Sequence, residues 1–179
     1  MKRLTCIIII CSFIGIESLY SQGIGESAPD FTVDLQGGGE FTLSDYSGNV
    51  IMIYFLGNTC PYCISAGPDV ENIYYDYSSK DDFTAIGLDT WDYSSTESSV
   101  SSFRSSTGIS FPLAIKAGSV STNYGMTYDR LLVIDQDGII RHKGSSAAAN
   151  DIGNTRAVIE DLYDTSSGDT STSDTTTTN

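Results

Sequence analysis

An apolar run that ends at a pair of cysteines constrains the fold of this chain more than any other stretch. Residues 50–56 read Val-Ile-Met-Ile-Tyr-Phe-Leu, and three residues separate them from Cys60-Pro61-Tyr62-Cys63. An apolar run of this length, rich in β-branched and aromatic residues, predicts a strand buried on both faces. The period then becomes helical, with one face formed by Val70, Ile73, Tyr74 and Tyr77. The cysteines are therefore expected between a central strand and the start of a helix.

That position indicates redox chemistry. At a helix N-terminus the sulfur of Cys60 would face unpaired backbone N–H groups and the positive end of the helix dipole, which stabilise a thiolate. Cys63, one turn further along, would then be positioned to attack a mixed disulfide formed at Cys60. The alternative is an inert disulfide that braces a loop. A bridge across two residues closes a very small ring and constrains the unfolded chain little, so the redox interpretation is favoured.

Residues 1–21 are predicted to form a signal peptide. Lys2 and Arg3 provide a basic start, and the apolar run 4–16 is shorter than the roughly 20 residues that a membrane-spanning helix needs. An uncleaved membrane anchor is the alternative. Cleavage would remove Cys6 and Cys11 and leave a single Cys-x-x-Cys pair.

An exported chain with one such pair is not a disulfide scaffold, which would need several spaced pairs. Two cysteines and the single histidine of the chain also fall short of a four-ligand zinc site. The pair is therefore expected to be chemical, and no metal or cofactor is expected.

Composition limits the classes of partner and predicts the character of the C-terminal residues. The formal net charge of −14 argues against nucleic acid or an anionic membrane as a partner. Residues 165–179 are almost entirely Ser, Thr, Asp and Gly, which predicts a disordered tail, either simply solvated or acting as a spacer or glycosylated stalk. Residues 22–164 remain and suit one domain.

Within that domain, strand and helix patterns alternate. The predicted elements are a hairpin over 31–35 and 40–43, a strand over 50–56, a helix from Pro61, a strand over 83–88, a helix over 95–106, a strand over 111–115, a short helix over 119–124, a hairpin over 131–134 and 139–142, and a helix over 150–163. This order predicts an α/β fold in which a mixed central sheet carries helices on both faces and is preceded by an N-terminal β-hairpin extension.

Several short motifs follow one another at a specific spacing. Residues 25–31 read G-E-S-A-P-D-F, residues 41–48 read F-T-L-S-D-Y-S-G, the cysteine pair is followed by Pro68, and residues 133–138 read V-I-D-Q-D-G. Together they resemble the redoxin branch of thioredoxin-fold proteins, the TlpA-like and AhpC/TSA-like exported thiol-disulfide proteins. The resemblance extends from about residue 23 to residue 164 and implies a thioredoxin-like fold.

The resemblance also implies roles for individual residues. Cys60 would be the exposed nucleophile and Cys63 the resolving thiol, with Pro61 and Tyr62 between them. Tyr62 is expected to contact partner proteins, with simple solvent exposure as the alternative. Asp89 resembles the acidic residue that TlpA-like proteins often carry after the second core strand, with a strand-end or capping role as the alternative.

Two departures from the family pattern concern the strand that begins near residue 130. Thioredoxin-like proteins usually carry a cis-proline facing the disulfide, but here that position falls near Asp129 and no proline follows Pro112. Substrate docking is therefore in question. Arg130 resembles a peroxiredoxin strand arginine but lies one residue out of register, so it would stabilise a thiolate only if it pointed inward.

The sequence thus predicts an exported, monomeric thiol-disulfide oxidoreductase, periplasmic or secreted, that exchanges disulfides with protein substrates and with a membrane or periplasmic redox partner. One alternative is a thiol peroxidase, although the P-x3-T-x2-C pattern of peroxiredoxins is missing before Cys60. The other is a non-catalytic binding module of the same fold. The direction of exchange depends on the stability of the Cys60 thiolate and is left open by the sequence.

Overall fold

The computed structural model describes residues 22–166, so the predicted signal peptide and residues 167–179 of the predicted tail lie outside the described residues. The elements are β1 Thr32–Asp34, β2 Glu40–Thr42, a 3-10 helix Leu43–Tyr46, β3 Val50–Leu56, α1 Pro61–Tyr77, β4 Phe83–Asp89, α2 Glu97–Thr107, β5 Leu113–Ala114, α3 Gly118–Asn123, β6 Arg130–Ile134, β7 Ile140–Lys143 and α4 Ala148–Ser166. No helix among these residues is long and apolar enough to cross a membrane.

The apolar run at 50–56 forms the central strand of a five-stranded mixed sheet. The strand order is β5-β4-β3-β6-β7, with β3 parallel to β4 and antiparallel to β6. Every residue of β3 is buried, as expected for a strand covered on both faces. The predicted α/β, thioredoxin-like fold with a mixed sheet is confirmed.

The alternation of side chains along β3 divides the core into two layers. One layer contains Met52 and Tyr54 together with residues of α1, α2 and α4, and both cysteines belong to it. The other contains Ile53 and Phe55 together with residues of α3 and of the N-terminal hairpin. Helices therefore cover both faces, as the sequence predicts.

The N-terminal hairpin joins the free edge of the sheet. β1 and β2 pair antiparallel, and the backbone N–H of Ile115 donates to the carbonyl of Asp34 at 2.9 Å. β5 itself is shorter than the predicted strand over 111–115 because Pro112 has no N–H and Lys116 adopts a left-handed φ of 52°. At the other end of the domain, α4 continues to Ser166, three residues beyond the predicted end of the helix at residue 163. Residues 165 and 166 are therefore helical, which corrects the predicted start of the disordered tail at residue 165.

Candidate active site

The cysteine pair lies where β3 runs into α1. Cys60 is the N-cap residue of α1, and its Sγ accepts the backbone N–H of Cys63 at 3.2 Å. Pro61 occupies the first helical position, where its missing N–H is not needed and its φ already suits a helix. The predicted turn between central strand and helix N-terminus is therefore present, and its sulfur takes the place of a capping oxygen.

Both thiols are free and both are buried, which corrects the expectation of an exposed Cys60. Cys60 is 1% exposed. Its sulfur turns toward the first turn of α1 and belongs to the same buried cluster as Leu56 and Leu131, against which Trp91 packs. A substrate can reach this sulfur only after part of that cover has moved.

Trp91, the single tryptophan of the chain, lies over the turn that leads into the cysteine pair. A Cβ added at Gly57 would lie 2.5 Å from the indole Cε2, so only glycine permits this approach. The indole also contacts Tyr128 edge-to-face at 5.1 Å and stacks against Tyr93 at 6.1 Å between centroids. Sequence reasoning missed Trp91, and the only signal was its position two residues after a core strand.

Asp89 holds the turn before Cys60 through hydrogen bonds. Its side chain is fully buried, and Oδ1 accepts the backbone N–H groups of Asn58 at 3.1 Å and Trp91 at 3.3 Å. Its Oδ2 accepts the side-chain amide of Asn58 at 2.7 Å, and that amide also donates to Ser94 Oγ at 2.9 Å. Asp89 is therefore the last residue of β4, and its carboxylate joins the end of that strand to the turn before Cys60. Asn58 and Ser94 were not predicted.

Tyr54 connects the central strand to the second cysteine. Its hydroxyl donates to the backbone carbonyl of Cys63 at 3.0 Å. Burial raises the pKa of the Cys63 thiol, and hydrogen bonding to Cys60 and the charges of Cys60 and Asp129 add to this, while the Gly57 amide opposes it. Burial also raises the pKa of the Tyr54 hydroxyl. Cys63 is therefore a neutral thiol at pH 7 and must lose a proton before it can attack a disulfide.

Asp129 occupies the position at which the resemblance to thioredoxin-like proteins would place a cis-proline. Its φ is 59°, in the left-handed region, whereas proline requires a φ near −65°. Among residues 22–166 there is no cis peptide bond. The Asp129 carbonyl already accepts Arg130 Nη1 at 2.7 Å and the backbone N–H of Ala148 at 3.1 Å, so it is not free for a substrate chain.

The other predicted site residues differ in how they relate to the thiols. Arg130 begins β6, and by strand alternation it shares a face with Leu132 in the layer opposite the cysteines, so its guanidinium does not face them. Tyr62 is 74% exposed beside the pair, which agrees with either alternative. Within the described part of the chain, no group of three or more His, Cys, Asp or Glu side chains is arranged to hold a metal.

Known proteins similar to this chain include the following three. Thioredoxin-like protein YneN of Bacillus subtilis is 25% identical over 118 residues, which cover 65% of this chain and 68% of that protein. A solution structure described as a candidate protein disulfide isomerase from Bacteroides thetaiotaomicron has 26% identity and a TM-score of 0.69, covering 78% of this chain and 89% of its own. A crystal structure described as a candidate thiol:disulfide interchange protein DsbE from Chlorobium tepidum has 21% identity and a TM-score of 0.69, covering 79% and 99%.

The family itself is identified by a longer match. The Redoxin family model matches residues 24–159, from the segment before β1 into α4. This range contains the central strand, the cysteine pair and Asp129. Since it spans well over half of the chain, the protein belongs to the Redoxin family and is, by class, a thiol-disulfide oxidoreductase.

Proposed function

We propose that this protein is an exported enzyme that exchanges disulfides with protein substrates through Cys60 and Cys63. The observation that carries the proposal is the geometry of the pair, in which Cys60 Sγ caps α1 and lies 3.2 Å from the Cys63 amide nitrogen. A thiolate at that place is stabilised by the helix N-terminus, and the second sulfur lies one turn away on the same helix.

The reaction follows from thiol exchange. In the reducing direction the Cys60 thiolate attacks a substrate disulfide and forms a mixed disulfide, with release of one substrate thiolate. Cys63 then attacks the Cys60 sulfur and releases the second substrate thiolate, which leaves the Cys60–Cys63 disulfide. In the oxidising direction the same steps run backwards from that disulfide.

Access to Cys60 is part of the proposal. Because Cys60 is buried and Trp91 packs against the cluster that contains it and against Gly57 of the turn, the substrate must displace part of the turn or the indole before sulfur meets sulfur. Tyr62, beside the cysteines, and Tyr93, stacked on Trp91, are 74% and 85% exposed and offer apolar surface to an incoming chain. We expect Tyr62 to contact the substrate chain during this step.

The cellular setting rests on the sequence. The basic start and apolar run within residues 1–21 support export, and an exported dithiol needs an electron donor or an oxidant outside the cytoplasm. We therefore propose a periplasmic or secreted monomer that is regenerated by a membrane or periplasmic redox partner.

Reduction of insulin disulfides by the dithiothreitol-reduced protein tests the function. We expect Cys60→Ser to abolish exchange, and Cys63→Ser to accumulate a mixed disulfide that non-reducing mass spectrometry detects. Exchange by the Cys60→Ser variant at the wild-type rate would refute the proposal. Peroxide consumption that persists in Cys63→Ser with an added thiol would point instead to the peroxidase alternative.

A further inference from the structure

We propose that Asp129 is the proton acceptor for the Cys63 thiol, a role that rests on the thiol-disulfide exchange proposed above. Cys63 is fully buried, and attack on a mixed disulfide requires that its proton leave. Water does not reach a fully buried sulfur in this conformation. A carboxylate in the same buried layer can accept the proton instead.

Asp129 lies next to that layer, directly before β6. Leu131, two residues further along the chain, pairs with Tyr54, whose hydroxyl is hydrogen-bonded to the carbonyl of Cys63. The Asp129 carboxyl oxygen Oδ1 accepts the backbone N–H of Ala148 at 3.3 Å. Leu131, Tyr54, Ala148 and Cys63 all belong to one buried cluster, and Asp129 itself is 5% exposed at its edge.

The Asp129 carboxylate accepts only one hydrogen bond from the described residues, and that bond is long. Arg130 donates to the main-chain carbonyl of Asp129, and no ion pair within residues 22–166 includes the Asp129 carboxylate. Its one hydrogen bond, from Ala148, is long. By contrast, the buried carboxylate of Asp89 accepts three N–H groups.

Cys63 is the proton donor among the groups that interact with Asp129. The charge of Asp129 acts on Cys63 of α1 and on Tyr54 of β3, Arg130 of β6 acts on Asp129, and the Ala148 amide of α4 donates a hydrogen bond to it. Tyr54 is already committed as a donor to a carbonyl. Burial raises the pKa of the Asp129 carboxyl, and the negative charge of Asp129 adds to the raised pKa of Cys63, so the two groups disfavour being ionised together.

The backbone angle φ at position 129 favours aspartate or asparagine. Asp and Asn tolerate a left-handed φ better than other residues that carry a Cβ, and non-glycine residues held there cluster at functional sites. The φ of 59° therefore fits aspartate and excludes proline. Asparagine fits the same backbone but cannot accept the proton on an anionic oxygen, which makes it an informative substitution.

Resolution of the mixed disulfide transfers the proton of Cys63 to Asp129. The mixed disulfide between Cys60 and the substrate, the Cys63 thiol and the Asp129 carboxylate are converted to the Cys60–Cys63 disulfide, a substrate thiolate and the protonated Asp129 carboxyl. The sulfur of Cys63 forms a bond to the sulfur of Cys60 as the bond to the substrate sulfur breaks. Asp129 afterwards releases its proton to solvent, and in the oxidising direction it returns a proton to Cys63.

Rapid mixing of the reduced full-length protein with a disulfide-bonded peptide, followed by acid quench, measures the second step separately from the first. We expect Asp129→Asn to slow release of the second peptide thiol by about 100-fold near pH 7, the lower range for loss of a general base. The exposed Asp137→Asn, at the β6–β7 turn, removes the same charge far from the cysteines and should release it at the wild-type rate. Formation of the mixed disulfide at Cys60 should be unchanged in both variants.

Carbon-13 NMR of the wild-type protein gives a readout that does not depend on a variant that folds. In the dithiol, the Cβ resonance of Cys63 should shift at the pH at which the Asp129 carboxyl titrates, because the charge of Asp129 acts on the Cys63 thiol. A Cys63 resonance that does not respond to that titration, or wild-type release of thiol by folded Asp129→Asn, would overturn the proposal. A wild-type protein that forms no mixed disulfide at all would instead refute the proposed function.

Discussion

Replacing Asp89 with asparagine is predicted to loosen the turn that carries the cysteine pair. In the native turn one carboxylate oxygen accepts two backbone N–H groups and the other accepts the Asn58 amide at 2.7 Å. Asparagine has only one acceptor oxygen at the end of its side chain. With the Asn58 amide in its native orientation, either orientation of the new amide therefore leaves at least one N–H group facing another N–H group inside the protein.

The size of the effect follows from those contacts. A hydrogen bond to a charged group contributes about 1.5–3 kcal/mol, and a buried donor left without a partner costs about 1–3 kcal/mol. Asp89 is fully buried without a cationic partner among the described residues, so removing its charge returns part of this energy. We expect a net loss of about 3 kcal/mol in the free energy of unfolding.

Urea unfolding of the reduced protein, followed by far-UV circular dichroism, measures this loss. Asp137→Asn, an exposed and charge-matched control, should change stability by less than about 0.5 kcal/mol. The exchanged pair Asn58→Asp with Asp89→Asn restores one carboxylate–amide contact and should recover about half of the loss. A loss below about 1 kcal/mol, or an exchanged pair no more stable than Asp89→Asn alone, would contradict this account of the turn.

Three further predictions concern the packing around the same site. Gly67→Ala should lower the free energy of unfolding by about 1 kcal/mol, because the new Cβ would lie 2.5 Å from a threonine side chain of α2. Gly153→Ala, in open space on α4, should raise the free energy of unfolding by about 1 kcal/mol. Thermal unfolding of both variants checks these opposite signs. Trp91→Ala should speed alkylation of Cys60 by iodoacetamide without preventing folding, and an unchanged rate would mean that the indole is not part of the cover. The free energy of unfolding of the reduced protein should fall as the pH rises above about 8.5, because the Cys63 thiol loses its proton at a lower pH in the unfolded chain than in the folded chain. The urea midpoint of Cys63→Ala should therefore fall less between pH 7 and pH 10 than that of the wild type.

Features carried by contiguous sequence could be predicted, since their cause is local. The apolar run fixed β3 at residues 50–56 to the residue, and the change of period after Cys63 placed α1 correctly. Proline at position 61, directly after a cysteine that can cap, is itself a helix-start signal. The two buried apolar residues of α2, Val100 and Phe103, are three positions apart, which is a helical spacing that the sequence shows directly.

Features that depend on contacts between distant segments could not be predicted. Cys60 is buried partly because a loop some thirty residues away packs against its cluster, and nothing near Cys60 encodes that loop. The same holds for the bond between Asn58 and Asp89, which joins the ends of two neighbouring parallel strands. The sequence did place Asp89 at a strand end, but only the fold shows that its partner is the turn rather than a thiol.

Asp129 shows how one backbone angle can link the two departures of this chain from its family. A proline there would require a φ near −65°, which would move the carbonyl that Arg130 and Ala148 now bind. With the left-handed φ, that carbonyl is occupied by the protein and a carboxylate is held at the edge of the layer that contains Cys63. The loop therefore has an occupied carbonyl at this position and carries an ionisable side chain that is nearly buried. On this reasoning Asp129→Gly, which permits the same φ without a carboxyl, should reproduce the slow thiol release of Asp129→Asn, since both retain the loop and lack the proton acceptor.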